Sequence, residues 1–237
     1  MNKCLIEYKM ITSLNYSLFV ESRFNSITLQ EKSIEIFSSF FPNTSIKITI
    51  NPEAVTNTPT ASAKIENDSE NSLITFSIFK NKINIIQEIL NEDEDIIPIN
   101  FDNFIGIASN IQLKLFDIYV FNKINFTKTE IYPDKSKSPN KYIANSLLKE
   151  NTHDDDITYC NITLGSIIHT PSKRKISCRD SFFASRFKKS IAVAHSKLFI
   201  CDSVTSAEKK DLYDIIFVIQ NNIDKKSKSV EALENAS

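Results

Sequence analysis

The alternation of apolar and polar residues divides the chain into short strand-like and helix-like segments. Leu5 to Ile11 and Leu14 to Phe24 are rich in β-branched and aromatic residues, which predicts two strands joined by a turn near Ser13 and Asn15. Thr28-Leu29-Gln30-Glu31 has the capping-box pattern, so a helix is expected from there to Phe41, where Pro42 and Asn43 stop it. Ile46, Ile48 and Ile50 then fall on one face of a half-buried strand over Ser45 to Ile50. Asn51 to Asn71 has two prolines, many threonines and little apolar content, and reads as an exposed loop.

Order resumes with a strand over Leu73 to Phe79, while Ile83 to Leu90 fits a helix or a strand equally well. Ile111 to Phe126 is long, β-branched and aromatic, which predicts one or two central strands. Pro133 to Lys141 is a polar linker and marks a subdomain boundary. Ser190 to Cys201 suits a buried strand, and Thr205-Ser206-Ala207-Glu208 is a second capping box. The helix it opens has Leu212, Ile215, Ile216, Ile219 and Ile223 on one face. No internal repeat stands out. The expected class is therefore α+β, with a mixed or mostly antiparallel sheet and a few packed helices. Residues 1–132 form an N-terminal α/β subdomain with a flexible loop near 51–71, residues 142–224 a C-terminal α/β subdomain, and residues 225–237 a disordered tail.

Composition narrows the function more than the fold. With 41% hydrophobic and 24% charged residues among 237, the chain is an ordinary globular one. The 28 basic and 29 acidic side chains leave a net charge of -1, so attraction to nucleic acid or membrane must be local. No apolar run reaches the roughly eighteen residues that cross a bilayer. Glu7 and Lys9 interrupt what a signal peptide would keep apolar. Cys4, Cys160, Cys178 and Cys201 lack C-x-x-C spacing, which suits reduced thiols in a cytoplasmic protein.

Only Gly106 and Gly165 are present, where average usage would supply roughly sixteen glycines. Walker A, G-x-G-x-x-G and G-x-S-x-G turns are consequently absent, since each needs backbone approach or positive φ that a side chain obstructs. Most familiar NTPases, dinucleotide enzymes, kinases and α/β-hydrolases are excluded, and no cofactor is expected. A codon bias toward Asn, Ile, Lys and Ser accounts for the shortage. It suggests an AT-rich genome of a bacterium, phage, virus or parasite.

Three constellations could carry chemistry. His195, Lys197 and Asp202 spell H-x-K-x-x-x-x-D, and strand alternation puts His195 and Lys197 on one face. The spelling resembles the catalytic motif of the phospholipase D superfamily. That resemblance, over about eight residues, implies a histidine nucleophile attacking phosphorus, a lysine on a phosphate oxygen, and a metal-independent phosphodiesterase or nuclease. With one copy of the motif per chain it also implies a homodimeric site.

The second constellation is basic, with Lys173, Arg174, Lys175, Arg179, Arg186, Lys188 and Lys189 interleaved with Phe182, Phe183 and Phe187. Clustered cations with aromatics suit a phosphate backbone and unstacked bases, although such runs are also solvated faces. The third, His153-Asp154-Asp155-Asp156, reads as a hydrophilic loop rather than a metal site, because consecutive residues cannot all face one ion. With the usual enzyme signatures missing, the leading expectation is a non-enzymatic interaction or structural protein of viral, phage or pathogen origin, acting on an unknown protein partner through a surface. The phosphodiesterase and a nucleic-acid-binding module built on residues 173–189 are the alternatives.

Overall fold

The computed structural model describes residues 10–21, 27–51, 53, 58–67, 71–90, 99–132, 139–148, 160–187, 190–202, 204 and 208–225. In chain order the elements are β1 (Met10–Val20), α1 (Ile27–Ser38), β2 (Lys47–Ile50), β3 (Ala61–Asn67), β4 (Ser72–Ile78), β5 (Lys82–Ile89) and α2 (Phe101–Leu115). They continue with β6 (Phe121–Tyr132), α3 (Pro139–Leu148), β7 (Asn161–His169), β8 (Lys175–Phe187), β9 (Ser190–Asp202) and α4 (Lys209–Ile223). The strands form one sheet of nine in the order β2-β3-β4-β5-β1-β6-β9-β8-β7. Every neighbouring pair is antiparallel. The α+β expectation is corrected accordingly: among the described residues a single large antiparallel sheet dominates, and four helices accompany it. Among the extra strands, β3 lies in the segment read as a loop, and β7 and β8 lie where the sequence pattern assigned no element.

The order of elements repeats. β1-α1-β2-β3-β4-β5-α2 is followed by β6-α3-β7-β8-β9-α4, which has one strand fewer, and in each half the first strand pairs with the last. β1 and β6 lie side by side at the centre, so the halves are related by a topological two-fold between them. Hydrogen bonding runs unbroken through β6 and β9, which joins the 1–132 and 142–224 segments in one sheet.

Period-two alternation sorts the side chains. Leu14, Tyr16 and Leu18 of β1, Phe76 and Ile78 of β4, Ile83 and Ile85 of β5, and Ile124 and Phe126 of β6 are buried under α1, α2 and α4. Phe37 of α1 stacks on Phe76 at 4.9 Å, and Phe104 of α2 lies 6.4 Å from Phe126. Ile143 and Ala144 of α3 pack with Phe182 and Val193, which point the same way as their buried neighbours Cys178 and Phe199. All four helices thus cover the same face of the sheet.

Several local expectations change. β1 is one strand, with a register shift between Ile11 and Ser13 where a turn was expected. The loop read over 51–71 contains β3, whose small Ala61 and Ala63 fill the space under α1 and are buried. Ile48 and Ile50 of β2 are exposed at the sheet edge, 51% and 42%. Ile111 to Leu115 ends α2 rather than beginning a strand; its cap, Asn100, accepts from the Asn103 amide at 3.0 Å. α4 begins at Lys209, and its capping box uses Glu208 and Asp211. Leu212, Ile215, Ile216, Ile219 and Ile223 are buried as the periodicity indicates.

Candidate functional site

The trio His195, Lys197 and Asp202 sits on β9, the strand beside β6. His195 and Lys197 share the helix-covered face, with Asp180 of β8 and Lys128 of β6 opposite Lys197 and with Glu130 opposite His195. Strand pairing therefore gathers five ionisable side chains under the helices. All are at most 6% exposed.

The His195 ring has both nitrogens occupied. Its Nε2 lies 2.7 Å from Asp180 Oδ1, its Nδ1 3.4 Å from Glu130 Oε2, and its plane stacks on Phe182 at 4.5 Å. Burial works against the charged imidazole, but the two carboxylates outweigh it and raise the His195 pKa above its ordinary value. A nucleophile needs a free nitrogen facing a substrate. This one is held between two acids.

Lys197 donates to the backbone carbonyls of Asn222 and Lys225, at 2.7 and 2.9 Å, at the end of α4. A cation there satisfies orphan carbonyls and faces the negative end of the helix dipole. Lys128 joins in: its Nζ lies 2.6 Å from the side chain of the cap residue Asp224 and 2.7 Å from Glu130 Oε1. The two buried lysines dock the C-terminus of α4 on the sheet. Asp202 lies seven residues beyond His195, roughly 23 Å at ~3.3 Å per residue, where it pairs with Lys123 at 3.1 Å. The three motif residues do not converge on one point.

The basic segment divides between environments. Lys173 is exposed in a turn with φ 63°, and Arg174 reaches Asp211 of α4 at 2.7 Å. Lys175 and Arg179 are exposed and alternate with Ile176, Cys178 and Asp180, so they face away from the helices. Arg186 is exposed near the end of β8; Lys188 and Lys189 lie outside the described residues, as does His153-Asp154-Asp155-Asp156. Phe182 supports His195 and Phe183 packs with Ile131, Ala192 and Ala194, so these phenylalanines serve the interior. The cysteines Cys160, Cys178 and Cys201 are free and buried, and burial pushes the Cys201 thiol up to about 11, far from a reactive thiolate.

The opposite face of the sheet has no helix over it among the described residues, and no sequence motif marks it. One row of side chains crosses it as Thr49, Ser62, Ser77, Asn84, Ser17, Asn125, Ile200, Ser177 and Ile167. Asn15, Thr127, Thr129, Ser196 and Ser181 lie in the rows beside it. The amide oxygens of Asn84 and Asn125, flanking Ser17, are buried and have no hydrogen-bond partner among the described residues. Buried polar atoms are rarely left so. The signal was legible as the hydroxyl and amide residues alternating with apolar ones in each strand, but only register assembles them into one surface.

No protein-family model matches the chain, and no curated protein does. Among solved structures, the di-domain ARO/CYC StfQ from the steffimycin biosynthetic pathway aligns with 7% identity over 93% of this chain and 97% of that one, at a TM-score of 0.26. Among the described residues, no helix is long and apolar enough to cross a membrane.

Proposed function

We propose that the chain is a non-enzymatic binding protein that works through a surface, and that this surface is the helix-free face of the sheet. The observation that carries the reading is the layering: four helices bury one face, while the other presents Ser, Thr and Asn side chains across adjacent strands. These hydroxyls and amides, half-buried for the most part and buried at Ser17, Ser77 and Asn84, stand on a rigid element, which suits a defined hydrogen-bonding surface. The burial of His195 and Lys197 speaks against the phosphodiesterase alternative, because neither side chain is free to meet a phosphate. A photo-reactive residue at Thr127 is expected to capture a partner in cells, and one at exposed Phe217 on α4 is not. Equal capture at both positions would overturn the assignment of the face.

A nucleic-acid ligand is the second reading, and charge on this same face favours it. Lys47, Lys64, Lys82, Lys123, Lys175 and Arg179 point to the helix-free side against Glu66, Glu88 and Asp202. If it holds, affinity for single- or double-stranded DNA or RNA falls steeply with salt, and replacing Lys123 and Arg179 with Ala flattens the slope. No binding at low salt removes it.

A further inference from the structure

The two edges of the sheet are built differently. β2 is four residues long and carries Lys47, two of the devices that keep an edge from pairing with another chain. β7 is nine residues long, Asn161-Ile162-Thr163-Leu164-Gly165-Ser166-Ile167-Ile168-His169, with no Asp, Glu, Lys, Arg or Pro. Among the described residues it pairs with β8 alone, and most of it is exposed, Ile167 at 55% and Leu164 at 39%. A long uncharged edge with exposed aliphatic side chains is a template for an added strand.

We propose that β7 pairs antiparallel with β7 of a second copy of this chain, about a two-fold axis through Gly165. The strand's own sequence selects that partner. With Gly165 opposite itself, Ile162 lies across from Ile168, Leu164 from Ser166, Thr163 from Ile167 and Asn161 from His169, so aliphatic and β-branched side chains meet and no like charges do. The sum of paired positions is even, which keeps each side chain on its own face and continues both the helix-covered and the helix-free faces across the junction. Gly165 suits the axis, since no atom lies within 4 Å of where a Cβ would stand. A single strand pair buries less than a standard interface, so the dimer is weak and depends on concentration.

The full chain is expected to sediment as a monomer when dilute and as a dimer when concentrated. Ile167→Lys places a charge on each copy near the axis and should weaken dimerisation by about tenfold or more, with an unchanged circular dichroism spectrum because the site is exposed. Ile48→Lys, an equivalent change on the exposed β2 edge, should leave it unaltered. Gly165→Cys is expected to form an intermolecular disulfide on mild oxidation, because directly opposed Cα atoms in an antiparallel pair lie within disulfide range. Thr163→Cys should not, its two copies being separated by about four residues along the strands. A monomer at all concentrations, an equal loss with Ile48→Lys, or cross-linking through Thr163→Cys in place of Gly165→Cys would each overturn the proposal.

Discussion

Under α1 and α2, the first half of the molecule buries Phe76, Ile78, Ile83, Ile85 and Tyr16, and its buried polar contacts join neutral side chains: the Tyr16 hydroxyl donates to Gln112, Ser33 meets the Tyr119 hydroxyl, and Gln87 donates to Ser72. The second half repeats the strand and helix order, yet beside the end of α4 it buries Lys128, Glu130, Asp180, His195 and Lys197. The apolar half is held by transfer and close packing, which tolerate small displacements of a helix on the sheet. The second half shares that apolar layer through Phe199, Ile176, Leu212 and Ile215, but it adds desolvated ions that are favourable only in their mutual geometry and so fix where α4 ends. One apolar core thus runs through both halves, and the second alone adds an ion network that locates rather than strengthens the end of its helix.

The largest test of that difference removes one charge. Asp180→Ala should destabilise the protein by about 3–5 kcal/mol, because it leaves buried cations uncompensated, as read from the denaturation midpoint. The double change Lys128→Met with Glu130→Leu should cost far less than Asp180→Ala, since it removes both signs together. A double variant as unstable as Asp180→Ala would contradict the locating role. On the apolar side of α4, Ile215→Ala should cost about 2–5 kcal/mol from lost transfer energy and the cavity left behind. An unchanged midpoint would place that face wrongly.

The halves should also respond differently to pH. Because the folded-state pKa of His195 is raised, its protonated form stabilises the native state fully below its ordinary value near 6.5. That contribution fades as pH rises through the higher folded-state value. The charges facing the ring come from Asp180 on β8, Glu130 and Lys128 on β6, Lys197 on β9 and Asp224 at the end of α4. Stability should decline over this interval in the native chain and stay flat in His195→Gln; identical profiles would show that the ring does not titrate there. The smallest effect is expected at Arg174, whose pair with Asp211 is partly exposed: Arg174→Ala should cost about 1 kcal/mol or less. A larger loss would mean that α4 is anchored at its start rather than at its end.

Elements whose partners lie within their own period were legible beforehand. β4 and β9 were found from apolar runs, and the buried stripe of α4 from its 3.6-residue spacing. α2 was missed because its final turns share an apolar, β-branched stretch with the start of β6, and the Asn100 cap that marks the helix start lies eleven residues upstream of Ile111. β3 was missed because alanines at its buried positions carry little hydrophobic signal beside nearby prolines and threonines. The repeated order of elements left no trace in residue identity, since each half met the same packing problem with different side chains.

What the amino-acid sequence determined by itself was local: which residues alternate, where α4 presents its apolar stripe, that His195 and Lys197 point the same way, and which glycine-dependent turns cannot form. Tertiary structure decided what those two side chains face. Glu130 and Asp180 reach His195 from 65 and 15 residues away, and the carbonyls of Asn222 and Lys225 reach Lys197 from the end of a helix. A catalytic motif needs an open approach and a structural ion network needs a closed one, and the spelling H-x-K-x-x-x-x-D is the same in both. Register across β6, β9 and β8 makes the difference, because pairing brings together charges that chain order keeps apart.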